Sequence, residues 1–247
     1  MRDYVWNSWG ASVIGPQHAK AGLPNQDFWL ARRYKGGNVI AVSDGLGSKP
    51  HSDHGSRAVC RAVCEAAKHY RKNPPADVVD LLRHIHANWL GQLPPHAVSE
   101  CSATCLFAVR SHGRLTLGRL GDGMIVVHGE SPRDSFVLSE DKEDSFANCT
   151  HALGSELRPR EWETVTIEEA QCKAVLIYTD GIVEGIAMDG DRGPESHLEF
   201  TRELSSQYMA LSPGDIRKDL KKWLGQWSFP DNYDDKTIAC LFKQEGQ

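Results

Sequence analysis

The chain carries apolar residues in two different rhythms. Short unbroken runs occur at Val39-Ile40-Ala41-Val42, Cys105-Leu106-Phe107-Ala108-Val109, Leu115-Thr116-Leu117, Met124 to Gly129, Ala174 to Tyr178 and Thr237 to Phe242. Runs of this length, rich in β-branched residues, predict strands, and their lack of alternation predicts burial on both faces. A sheet of this kind has to be sandwiched between other layers. Ser111-His112-Gly113-Arg114 predicts a hairpin between two of the runs, and Met124 follows Gly121-Asp122-Gly123 directly, so three consecutive antiparallel strands are expected.

The second rhythm is helical. Val59, Ala62, Val63, Ala66, Ala67 and Tyr70 form a stripe within Ser56 to Tyr70, and Val78, Leu81, Leu82, Ile85 and Trp89 form another between Pro75 and Gly91. A third stripe (Ile216, Leu220, Trp223, Leu224, Trp227) opens at Ser212-Pro213-Gly214-Asp215, with serine as cap and proline in the first turn. Ser131 to Glu169 reads as polar and irregular, and Met188 to Ser196 as a surface loop.

Length and composition narrow the picture. At 247 residues, with no Gly/Ser-rich or Pro-rich divider, a single domain over 1–247 is expected. The net charge is −5 with cations scattered among the acids, which argues against a nucleic-acid surface. The basic residues Lys68, His69, Arg71 and Lys72 before Asn73-Pro74-Pro75 read as a helix end. The start lacks a secretory apolar segment and no run approaches the roughly 20 residues needed to cross a bilayer, so a soluble cytoplasmic protein is expected, without membrane contact. Seven cysteines, an odd number, fit reduced thiols. Cys60 and Cys64, four apart on an apolar helical face, read as core rather than as zinc ligands with His51 and His54, and Cys101 and Cys105 read as sharing a buried strand face.

The chemistry lies where these runs end. Asn25-Gln26-Asp27, Asp44-Gly45-Leu46-Gly47-Ser48, Gly121-Asp122-Gly123, Thr179-Asp180-Gly181 and Asp234-Asp235-Lys236-Thr237 each set an aspartate in a turn, mostly beside an apolar run. Carboxylates converging from strand ends make a hard oxygen site suited to magnesium or manganese rather than zinc.

With Ser102-Ala103-Thr104, these motifs fall in the order of the PP2C-like (PPM) metal-dependent protein serine/threonine phosphatases, which the chain resembles from about Gly10 to Phe242. The segment from His18 to Asp27 is similar to the compact bacterial branch. The resemblance implies an α+β fold: a four-layer α/β/β/α sandwich with two central, mostly antiparallel sheets flanked by helices. It implies two Mn2+ or Mg2+ ions bridged by Asp44, with the Gly45 carbonyl on one, Asp180 and Asp234 on the second, and Asp27 orienting metal-bound water. Asp122, with Asp180, matches the position of a weaker third ion. A hydroxide between the ions would hydrolyse phosphoserine or phosphothreonine in proteins. Implied partners are phosphoprotein substrates and, by association within that branch, a serine/threonine kinase and a von Willebrand A-type protein. A catalytically silent module binding a kinase or scaffold is the alternative, and a metallohydrolase for small phosphoesters is a third reading.

The chain also departs from the family pattern. Gly22 stands where many members have a phosphate-gripping arginine, leaving His18 and Lys20 as candidate phosphate contacts. Leu46 replaces a histidine that acts as general acid in some relatives, and Asp235 replaces a commoner asparagine. Ser102-Ala103-Thr104 is expected to serve strand packing, and Glu140 to Glu163 occupies the family's flap position.

Overall fold

The computed structural model describes residues 4–139, 150–187, 193–208, 211–227 and 233–245. In chain order the elements are β1 (Tyr4–Val13), α1 (Pro16–Ala21), β2 (Phe28–Tyr34), β3 (Gly37–Ser43), α2 (Ser52–His69), α3 (Val78–Gln92), β4 (Cys105–Ser111), β5 (Arg114–Leu120), β6 (Met124–Gly129), β7 (Phe136–Leu138), β8 (Glu163–Glu168), β9 (Cys172–Tyr178), α4 (Asp180–Ala187), α5 (Pro194–Tyr208), α6 (Pro213–Gln226) and β10 (Lys236–Glu245). They build two antiparallel sheets, ordered β1-β10-β9-β6-β7 and β2-β3-β4-β5-β8.

The apolar runs lack alternation because both faces of each central strand are covered. In β3, Ile40 and Val42 join an inter-sheet core with Leu106, Ala108, Val175, Ile177, Ala239 and Leu241. Val39 and Ala41 point the other way, into a cluster with Val59, Val63, Leu82, Ile85 and Trp89 of α2 and α3. On the far side, Leu176, Tyr178, Ile238 and Cys240 pack against Ile182, Leu204, Ile216, Leu220 and Leu224 of α4, α5 and α6. The result is the four-layer α/β/β/α sandwich with helices outside.

Several sequence expectations need correction. β6 is not the third strand of a meander: it pairs with β7 and β9 in the other sheet, so Gly121-Asp122-Gly123 is a crossing between sheets. The stretch 131–169 contains β7 and β8, and β8 pairs with β5 through the alternating segment Glu163–Glu168, half exposed because it edges the sheet. Pro194 to Ser196 open α5 rather than ending a loop, and Met188 to Arg192 lie outside the described residues, as does 140–149 of the flap segment. α2 begins a turn earlier than its apolar stripe, at Ser52, and Gly55 lets that turn pack closely: a Cβ there would meet the Cys101 carbonyl oxygen at 1.9 Å. Cys101 lies before β4 rather than on it, although it is buried. α3 starts as its punctuation predicts, with Asp77 accepting from the Asp80 amide.

Candidate metal centre

One end of the sandwich gathers the aspartates, and strand register does the gathering. Phe28 pairs with Ser43 in the β2–β3 ladder, which sets Asp27 beside Asp44. Tyr178 pairs with Ile238, and beyond that pair the Thr179 amide donates to the Thr237 carbonyl at 3.0 Å. Asp180 and Asp234 flank this last contact in the chain. Asp122 comes from the crossing between β5 and β6. Oxygens of Asp44, Asp122 and Asp180 all lie within 4.8 Å of one another, and the same holds for one atom each of His18, Asp234 and Asp235.

Threonine and arginine side chains fix the backbone that carries these groups. Thr104 Oγ1 accepts from the Asp44 amide at 2.8 Å, while its own amide donates to the Asp44 carbonyl at 2.7 Å. Leu46 donates to the Ser102 carbonyl, and Gly45 to that of Gln26, each at 3.1 Å. Ser102-Ala103-Thr104 therefore clamps the Asp44-Gly45 turn. Buried Arg119 donates through Nη1 to the Gly121 carbonyl and through Nε to Glu163 Oε2 at 2.9 Å, holding the crossing that bears Asp122. Gly121 has φ +112°, and a Cβ there would lie 2.5 Å from Thr104 Cγ2, so only glycine fits.

Asp235 has a different role from its neighbour. Its Oδ1 accepts from the Gly15 amide and its Oδ2 from the Gln26 amide, both at 2.6 Å, and His18 Nδ1 lies 3.1 Å from Oδ2. The extra negative charge is thus spent on tying the chain before α1 to the turn before β2.

The carboxylates themselves are short of donors. Asp27 Oδ2 accepts from Thr179 Oγ1 at 2.8 Å and Asp122 Oδ2 from Thr150 Oγ1 at 2.7 Å, but among the described residues Asp27 Oδ1 and Asp122 Oδ1 are buried without a partner. Burial and then the charge of Asp235 push the Asp27 carboxyl up to about 7. Burial and the surrounding aspartates hold Asp44 and Asp180 well above the usual carboxylate range, and burial, with Asp235 close by, raises Asp234. Lys236 brings an ammonium to the cluster, itself lowered by burial. A buried charge without donors is costly, so this end requires protons or cations. An all-oxygen donor set with orphaned carboxylate oxygens fits magnesium or manganese.

The structure thus assembles Asp27, Asp44, Asp122, Asp180 and Asp234 at one end, with Gly45 buried beside them. His18 sits against Asp235, whereas Lys20 is exposed in the last turn of α1. Gly22 caps that helix at φ +68°, a left-handed conformation that explains why glycine stands there. Among the described residues, His51, His54, Cys60 and Cys64 form no metal-ligating group, and both cysteines lie in the core. Sequence reasoning missed Glu184, raised by burial and by Asp234, and gave Lys236 no role although its motif was in view. Spacing would have found Glu184 had Asp180 been read as a helix start, since residues four apart share a helical face.

No curated protein matches the chain by sequence. The structure of the catalytic domain of the serine/threonine protein phosphatase PstP, in complex with 2 manganese ions, is similar at TM-score 0.61 and 16% identity, covering 98% of this chain and 100% of that one. A C. elegans sex determining protein is similar at TM-score 0.64 and 16% identity, with 96% of this chain covered. The phosphatase domain of SpoIIE from Bacillus subtilis, with a fragment of its regulatory domain, gives TM-score 0.62 and 14% identity over 100% of this chain. The chain spans 64% and 65% of the length of the last two. The family model for protein phosphatase 2C matches residues 14–225, and the chain belongs to that family.

Proposed function

We propose that this chain is a protein phosphatase that hydrolyses phosphoserine and phosphothreonine with two manganese or magnesium ions, as a single domain over 1–247 in the cytoplasm. The observation that carries this reading is the convergence of Asp44, Asp122 and Asp180 within 4.8 Å, next to buried carboxylate oxygens that lack donors. In this reading Asp44 and the Gly45 carbonyl would hold one ion, Asp44, Asp180 and Asp234 the other, and Asp122 with Asp180 a weaker third. Bound ions would neutralise the phosphoryl oxygens and lower the pKa of an attacking water.

The protein's own groups do the rest. Asp27, anchored through Oδ2 by Thr179, keeps Oδ1 to orient the water in line with the phosphorus. Lys20 supplies charge to the phosphate, and His18, set by Asp235, positions the α1 segment. With Leu46 in place of a general acid, the leaving serine oxygen takes its proton from solvent. None of the six described thiols takes part: all are buried, and burial raises those of Cys60, Cys64 and Cys105 away from the reactive thiolate. Phosphoprotein substrates, a serine/threonine kinase and a von Willebrand A-type protein are the proposed partners. No helix among the described residues is long and apolar enough to cross a membrane.

The test is turnover of an aryl phosphate and a phosphothreonine peptide. Release of phosphate should require added manganese or magnesium, stop with a chelator and survive a thiol blocker. Manganese binding without any turnover would instead leave a silent binding module.

A further inference from the structure

A cavity of about 430 Å³ opens beside the metal centre, lined along one wall by Asp27, Phe28, Trp29, Leu30, Ala31 and Arg32 and along others by Arg57, Arg217 and Lys221. Its cations come from three separate elements. Arg32 lies on β2, the outer strand of its sheet, Arg57 on α2, and Arg217 and Lys221 one turn apart on α6. Arg57 lies with its guanidinium 5.0 Å from the centre of the Phe28 ring, and Arg32 donates to the neighbouring Ala31 carbonyl at 2.9 Å.

Among the described residues none of these four cations has a carboxylate partner, while Arg110, Arg119 and Lys243 elsewhere on the molecule are paired. Among the described residues Asp27 is the single acid in the lining, and it belongs to the metal centre. Convergence of four positive groups on one cavity, in a chain of net charge −5, is unfavourable in isolation and calls for a polyanionic ligand. Asp27 lines the cavity as well as the metal centre, so that ligand lies beside whatever occupies the centre.

We propose that this groove binds acidic side chains flanking the phosphorylated residue of the protein substrate, giving the site a preference for phosphoserines in acidic sequence. An extended peptide advances about 3.3 Å per residue, so glutamates within a few residues of a phosphoserine held beside Asp27 enter the groove. Phe28 and Trp29, on opposite faces of β2, give the lining its aromatic surface, against which such a segment packs. The inference rests on the phosphatase reading for the identity of the ligand but not for its binding.

The test uses the intact chain and two fluorescent phosphoserine peptides, one with flanking glutamates and one with glutamines in their place, with affinity read by anisotropy and turnover read separately on an aryl phosphate. The acidic peptide should bind roughly tenfold more tightly at low salt, through several partly exposed ion pairs, and the preference should vanish in Arg217→Glu/Lys221→Glu and at high salt. Both substituted side chains are exposed on α6 and touch no catalytic group, so folding and aryl phosphate hydrolysis should persist. Equal affinity for the two peptides in the unmodified chain, or an undiminished preference in the double variant, overturns the groove assignment. Failure to hydrolyse aryl phosphate with the peptide preference intact overturns the phosphatase reading alone.

Discussion

The two ends of this sandwich treat charge in opposite ways. At the end bearing the β2–β3 and β4–β5 hairpins, Arg110 Nη1 donates to both oxygens of Glu169 at 2.8 and 2.9 Å, Trp6 Nε1 donates to the same carboxylate at 2.7 Å, and Lys243 donates to Glu130 at 2.7 Å. At the other end, Asp27, Asp44, Asp180 and Asp234 face one another, all raised by burial. Yet the same strands run through both ends. The sheets, closed by three apolar layers, hold carboxylates together that would separate if free, and one end supplies stability that the other spends on preorganisation.

Asp44→Asn acts most directly on this difference between the ends. At saturating manganese, turnover should fall by at least about 100-fold, because the charge proposed to bridge the two ions is lost. In chelator the same substitution should raise the melting temperature, by about 2–4 °C for each kcal/mol of repulsion relieved in a chain of this size. Thermal melts of both proteins with and without metal read the two signs at once. A variant that is inactive and also less stable in chelator would show that Asp44 is a structural support rather than a strained ligand.

Next in size is the pH dependence of the metal-free chain. A carboxyl raised from 3.8 to about 7 keeps its proton in the folded state where the unfolded chain has lost it. The stability it contributes is full below about pH 4 and is lost as pH rises through about 7, a change on the order of a few kcal/mol. Divalent metal should remove that loss, so the stabilisation by manganese should grow across this window. Denaturant titrations between pH 4 and 8, with Asp27→Asn flattening the metal-free slope, check the sign.

The comparison also separates what the sequence makes legible from what it hides. Most site aspartates are visible because a buried apolar run stops or starts beside them, as Val39 to Val42 stop before Ser43-Asp44. Both helical stripes around Pro74-Pro75 are visible because their periodicity survives burial of one face. The crossing at Gly121-Asp122-Gly123 is hidden, since a turn within a sheet and a turn between sheets use the same residues, and only the remote partner β9 decides. Gly181 misleads for a similar reason: it reads as a turn glycine, but its requirement is close approach, since a Cβ there would lie 2.1 Å from the Asp235 carbonyl oxygen at the start of α4. That misreading conceals Glu184. The paired end is hidden as well, because the separation of Glu169 from Trp6 along the chain gives no local sign of their contact.

Glu169→Ala probes the paired end and should do the reverse of Asp44→Asn. It leaves Arg110 Nη1 and the Nε1 of buried Trp6 without their acceptor, at a cost of about 1–3 kcal/mol. Turnover of aryl phosphate at saturating manganese should be unchanged. Urea titration with parallel kinetics measures both, and a loss of activity without loss of stability would mean that the two ends are coupled through the sheets.

The smallest expected effect sharpens the comparison at the phosphate itself. Gly22 occupies the position of the family arginine, and its φ of +68° penalises any side chain, although a Cβ there meets nothing within 4 Å. Gly22→Ala and Gly22→Arg should therefore each lose about 1 kcal/mol of stability from the left-handed backbone, with no steric clash. Only the arginine adds a charge near the end of α1, where Lys20 is proposed to contact the phosphate. In a Lys20→Ala chain, whose catalytic efficiency should be lower by roughly tenfold or more if a charge-assisted contact is lost, Gly22→Arg should restore part of the loss and Gly22→Ala none. Product-phosphate inhibition read beside kcat/KM separates binding from folding. Equal behaviour of the two Gly22 variants in that background would place the cationic contact elsewhere, and would leave the carboxylate end with no cation recruited from α1.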